Sequence, residues 1–317
     1  MNNASVKELD ILCMGMALID SIIRGFDPEP VSASGYRAKS GSLNVGGEAV
    51  NEAVASAKLG HKTGIICALG QDAAGDMVLA RLRECGVDTS FVLRSEEHPT
   101  PVTTMFVRDD GTRKSITNLS HRYNFHPENY ASQFTRARAL ILGSLFRAPF
   151  DEPDGIASVV REASSGGTLI FADTKLPNFA KIKLEDIAEA LPYVDYITPN
   201  EDEAKFFSGK EEPEEMADVF LSYGAKNVVI KLGAKGCFFK NKETKIVLPA
   251  FSIDPVDATG AGDCFVAGLA GEILSGADIK DALIFASGCG AICTTAVGAG
   301  TALSSHAQVE EFIRQVS

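Results

Sequence analysis

The chain has no CxxC pair. Its seven cysteines, an odd number spread from Cys13 to Cys293, supply neither a disulfide framework nor a zinc module. A reducing cytoplasm is the expected setting. Cys289 and Cys293 stand one helical turn apart with no third or fourth ligand nearby, and read as buried structural cysteines. Long basic runs are also missing: 30 Lys and Arg face 42 Asp and Glu, a formal net charge of -12. That balance excludes a general nucleic-acid binder, which needs clustered cations against phosphates. No apolar run approaches the roughly 20 residues that span a bilayer. The first such run, "ILCMGMALI", follows Glu8 and Asp10 rather than a basic segment, so no signal peptide and no membrane partner are expected. The G-x-x-x-x-G-K-[ST] loop of P-loop kinases is absent. "MGMALID" lacks the G-x-G-x-x-G of a dinucleotide-binding turn, which sets aside a Rossmann dehydrogenase.

What is present is alternation. With 45% hydrophobic and 23% charged residues, the 317 residues have an ordinary globular composition and read as one large domain, 1–317. Short β-rich runs ("ILCMGMALI", "KTGIICAL", "RALILGSLF", "TLIFADT", "DYITPN", "NVVIKLG") are separated by helical spacing such as "AVNEAVASAKLG" and "DGIASVVREASSGG". The fold class is therefore α/β, a mainly parallel sheet with helices on both faces. Gly60, Gly86 and Gly166 follow helical segments, where a left-handed cap favours glycine. Two stretches break the pattern, about 20–45 and about 99–118, the second a hairpin turned at "DDG". They predict a small inserted β-sheet, a lid over a ligand crevice at the carboxyl ends of the strands.

Residues 257–265, "DATGAGDCF", carry the chemistry. Free amides at a helix N-terminus bind anions, and Gly260, Ala261 and Gly262 let a phosphate approach the backbone closely. Asp263 would repel that phosphate unless it accepts a proton from an attacking hydroxyl, which makes it the candidate general base. The blander alternative is a first-turn acid favoured by the helix dipole.

"DATGAGDCF" resembles the C-terminal signature of the ribokinase-like (PfkB) carbohydrate kinases, and "GGEAVNEAVASAKLG" at 46–60 resembles their N-terminal one. "MGMALID", "TPNEDE" at 198–203 and "KLGAKGCFF" at 231–239 follow the family order. The resemblance implies a ribokinase-like three-layer α/β/α body with a β-sheet lid. It also implies an ATP-dependent sugar kinase with Asp263 as base and Gly260, Ala261 and Gly262 as the anion hole. Asp20, ending the first strand, with Gly46, Gly47 and Asn51, matches the sugar site. Asn200 and Glu203 match an N-x-x-E element that organises Mg2+ through water. Lys231, Gly233 and Gly236 match nucleotide contacts, and Lys175 stands where relatives often carry a basic residue; a surface lysine is the alternative. Asp257 with the carbonyls of Thr259, Cys293, Ala296 and Gly298 matches a potassium site. The hydroxyl ligand of some members corresponds to Ala302, beside Thr301.

The acceptor is less defined. Glu48 replaces the lysine usual after the two glycines in ribokinases, and Leu18 stands where they often carry a sugar-contacting asparagine. Arg113, Arg122 and Arg147 are compatible with a sugar acid such as 2-keto-3-deoxygluconate or with solvated surface charge. A ribose, fructose or sugar-acid kinase is the main expectation. A nucleoside kinase of the same family and a non-catalytic nucleotide-binding protein are the alternatives. "TTMFV" on the lid points to a homodimer through that sheet.

Overall fold

The computed structural model describes residues 7–25, 35, 37–110, 112–118, 125–178 and 181–316. Its largest sheet has eight strands. In spatial order they are Lys245–Leu248, Cys237–Lys240, Asn227–Lys231, Tyr196–Ile197, Leu169–Thr174, Ala137–Leu145, Leu9–Met14 and Thr63–Ile66. The pairings from Asn227–Lys231 to Thr63–Ile66 are parallel, and the two strands at the other end are antiparallel.

Alternate residues of each strand face opposite sides, so a strand buried on both faces must be apolar throughout. Leu12, Met14, Leu140, Leu142 and Ile170 pack beneath helices Pro153–Ser165 and Pro213–Ser222. Their neighbours Ile11, Cys13, Ala139, Ile141 and Phe171 pack against helices Glu48–Lys58, Ala261–Ser275 and Ile279–Cys293. These are the three layers expected. Cys289 and Cys293 are fully buried in the last of those helices. No helix among the described residues is long and apolar enough to cross a membrane.

A separate four-stranded sheet runs Ser40–Gly46, Leu18–Arg24, Val102–Val107, Arg113–Thr117. Leu18–Arg24 pairs antiparallel with the first of these and parallel with Val102–Val107. The hairpin expected near "DDG" joins the last two strands, with Gly111 outside the described residues. Residues 26–34 and Arg122 also lie outside them.

Two expectations need correction. "ILCMGMALI" is two strands in two sheets: the chain breaks at Gly15, where a Cβ would stand 2.6 Å from the Gly143 carbonyl oxygen. Asp20 therefore does not end the first strand but lies within the second, in the small sheet. Gly60 and Gly86 are left-handed as expected, whereas Gly166 is not; Gly167, φ 68°, takes that conformation. The Gly166 amide still bonds to Glu162, so the helix closes one residue later, and a Cβ at Gly166 would collide with Thr135.

Candidate active site

The carboxyl ends of three neighbouring strands converge on one helix N-terminus. Asp173 and Thr174 close Leu169–Thr174, Asn200 follows Tyr196–Ile197, and Lys231 closes Asn227–Lys231. Facing them, Gly260 caps helix Ala261–Ser275 in a left-handed conformation, φ 79°, and a Cβ there would stand 2.6 Å from Cβ of Ala299. In the first turn the Ala261 amide bonds to the Ala258 carbonyl and the Cys264 amide to Gly260. The amides of Gly262 and Asp263 are left at the helix end, where partial positive charge collects. Of the three residues expected to form the anion hole, the Ala261 amide is the one that bonds back to the chain.

Asp263, third in this helix, is 8% exposed, and Asn51 Nδ2 donates to its Oδ2 at 2.6 Å. Burial pushes the carboxyl up to about 7, aided by the negative charges of Glu48 and Asp173 and opposed by Lys175 and the Asn51 hydrogen bond. A carboxylate poised there can both hold and release a proton near neutrality. Asn51, expected on the sugar, is thereby tied to the candidate base itself.

Lys231 Nζ donates to Asp173 Oδ1 at 2.5 Å and lies 3.2 Å from where a Cβ on Gly262 would be. Burial by itself would lower its pKa, but Asp173 and Glu203 outweigh that and raise it. The cation therefore stays charged beneath the helix end. Asn200 and Glu203 form a capping box: the Glu203 amide donates to Asn200 Oδ1, and the Asn200 amide and Nδ2 donate back to the carboxylate. Thr174 Oγ1 adds a bond of 2.8 Å to Glu203 Oε2. Gly233 and Gly236, φ 58° and 100°, flank the short turn after Lys231.

On the other side, Asp20 faces Asn44 and Thr103 across the small sheet. A Cβ on Gly46 would strike its Oδ2, so glycine is what allows the carboxylate its place. Burial first, and Glu48 second, push Asp20 up to about 6, while Arg113 opposes them. Lys175 is half-buried, and its Nζ lies 2.9 Å from Glu48 Oε1. Burial would raise the Glu48 carboxyl, yet the Lys175 ammonium overrides it and holds it at about 2.

With this geometry in view, a family model described as pfkB family carbohydrate kinase matches residues 9–306. The chain belongs to the pfkB carbohydrate kinases. It is 30% identical over 292 residues to fructokinase-2 of Oryza sativa subsp. japonica, covering 86% of this chain and 85% of that one. It is 29% identical over 286 residues to 2-dehydro-3-deoxygluconokinase of Bacillus subtilis, covering 86% and 87%. In fold it matches Arabidopsis thaliana ribokinase complexed with ribose and ATP, at TM-score 0.85 and 24% identity over 96% of this chain and 99% of that one.

The segments that carry Asp257, Thr259, Cys293 and Gly298 lie against one another. Asp257 Oδ1 accepts from the amide and hydroxyl of Thr259, and Oδ2 from the Gly298 amide at 3.0 Å. Cys293 Sγ donates to the Thr259 carbonyl at 3.5 Å, and Ala296 lies in the turn between Cys293 and Gly298. Arg147, half-buried, donates to the Leu176 carbonyl, and Arg113 lies exposed on the small sheet. Sequence reasoning missed Asp173, the Lys175 partnership and Glu52. Glu52 is wholly buried with both carboxyl oxygens unpartnered among the described residues. An acid among Ala49, Val50, Ala53 and Val54, on the core face of a helix, was the available signal for it.

Proposed function

We propose that the kinase transfers the γ-phosphoryl group of ATP to a primary hydroxyl of an unphosphorylated sugar or sugar acid. The observation that carries the reading is Asp263, poised near neutrality by burial, at the N-terminus of a helix whose Gly262 and Asp263 amides have no backbone partner among the described residues and can face a phosphate. A group that only bound nucleotide would gain nothing from a carboxylate there, because its charge repels the ligand.

In this mechanism Asp20 and Asn51 orient the acceptor through hydrogen bonds, and Asp263 takes the hydroxyl proton as the oxygen attacks in line. The Gly262 and Asp263 amides with Lys231 hold the charge that develops on the transferring group. Bound Mg2+ would supply charge neutralisation at the nucleotide phosphates, and Asn200 and Glu203 are the residues that would hold it. They suit it through water, since Glu203 Oε1 accepts from Asn200 Nδ2 and from no other group among the described residues. The small sheet acts as a lid that excludes water. Its face opposite Asp20 carries Leu43 and Ile116, 60% and 68% exposed and aligned in one row through Ser21 and Thr104. A second copy of the chain covers that row in the homodimer we propose. The monovalent-cation site rests on Asp257 and its loop.

The test is Mg2+-dependent ADP release from ATP across ribose, fructose, 2-keto-3-deoxygluconate, fructose 6-phosphate, adenosine and inosine, in KCl and in NaCl. A strong response to a free sugar or sugar acid is expected. A response to nucleosides alone, or to none of these acceptors while ATP still binds, overturns the reading. Equal rates in the two salts overturn the cation site.

A further inference from the structure

We infer that the Glu48–Lys175 pair sets the charge class of the acceptor, admitting an uncharged polyol and turning away sugars that carry a carboxylate or phosphate. This rests on the kinase reading above and narrows it.

Glu48 opens helix Glu48–Lys58 directly after the two glycines, and the first of these, Gly46, is pressed against the Asp20 carboxylate. Its partner Lys175 is one residue beyond strand Leu169–Thr174, whose Asp173 holds Lys231 under the anion hole. The pair therefore bridges the acceptor anchor and the phosphoryl path. Electrostatics agree with that placement. Among the charges acting on Asp20 and on Asp263, Glu48 is the strongest on each. Lys175 in turn feels Glu48 first and Asp263 next.

Asp20, Glu48, Asp173 and Asp263 together outnumber the cations that act on them, Lys175, Lys231 and Arg113, and Lys231 is itself paired with Asp173. Lys175, 2.9 Å from Glu48, is already neutralised, and Arg113 is exposed to screening solvent. The Glu48 side chain is only 17% exposed, so its field on a bound ligand is weakly screened. Carboxylates accept hydrogen bonds and cannot donate them when ionised, which suits the hydroxyls of a neutral sugar. An anionic acceptor would have to displace Glu48 from Lys175 while lying beside Asp20.

The experiment measures kcat/KM with Mg-ATP for ribose and fructose against 2-keto-3-deoxygluconate and fructose 6-phosphate, in the native kinase, Glu48→Gln and Lys175→Met. The native protein should prefer a neutral sugar by at least tenfold. Glu48→Gln frees the ammonium and should shrink that ratio about tenfold, mainly through KM for the anionic acceptors. Lys175→Met leaves the acids uncompensated and should widen it. A native preference for either anionic acceptor, or ratios unmoved by both variants, overturns the inference while the kinase reading stands. Absence of turnover with every acceptor overturns both. If Glu48→Gln does not fold, the native ratio and Lys175→Met still decide.

Discussion

Glu52→Gln should make the stability of the kinase less sensitive to pH, by an amount the structure sets. The Glu52 carboxyl is fully buried, neither oxygen has a partner among the described residues, and Asp173, Asp263 and Glu48 surround it with negative charge. Burial first, and those charges next, push its pKa well above the ordinary carboxylate range, with Lys231 offsetting only part. The folded state therefore keeps a proton that the unfolded chain releases above about pH 4.3. Stability is fully present below that unfolded value and is lost as pH rises toward the native one. One proton of difference corresponds to about 1.4 kcal/mol per pH unit. Glutamine keeps the shape and cannot ionise, so the variant's stability relative to native should rise from pH 5.5 to 7.5 by up to about 2.8 kcal/mol, twice that slope, the full amount corresponding to a native Glu52 that holds its proton throughout. Asp263, pushed up to about 7, titrates in both proteins and largely cancels in the difference. Urea unfolding of both proteins at pH 5.5, 6.5 and 7.5 reads this directly. A stability difference that stays flat across that range refutes the protonated Glu52.

Asp263 accepts a proton only when ionised, so with its carboxyl near 7 the kcat/KM profile should fall about tenfold per unit on the acid side of that value. Asp263→Asn should lower kcat by about 10²- to 10⁴-fold while ATP binding, followed by titration calorimetry, persists. Lys231→Met leaves Asp173, 6% exposed, without its cation and should cost about 3–5 kcal/mol in urea unfolding. Adding Asp173→Asn should recover a large part of that loss. Gly260→Ala forces a side chain into a left-handed position against Ala299, which should destabilise by about 1–3 kcal/mol and weaken ATP binding. Native-like melting and affinity in that variant would show that the loop tolerates a Cβ.

Local features were legible in the sequence because they are set within a turn of helix or a run of strand. The alternation of β-rich and helical segments determined the parallel α/β body, since a two-sided apolar strand needs a helix layer on each face. The spacing in "DATGAGDCF" determined that a helix would begin at the glycines with Asp263 in its first turn, because cap, dipole and acid lie within a few residues. The sequence alone placed Asp20 at a strand end and missed the change of sheet at Gly15, because a close approach to Gly143 cannot be read from neighbours in the chain. Tertiary structure alone decided the partners. Asn51 meets Asp263 across 212 positions, Lys231 meets Asp173 across 58, and Lys175 meets Glu48. Those contacts depend on which strand ends lie side by side. Whether a carboxyl is lifted, as in Asp263 and Glu52, or held down, as in Glu48, depends on how much water the packed layers exclude and which charges share the space.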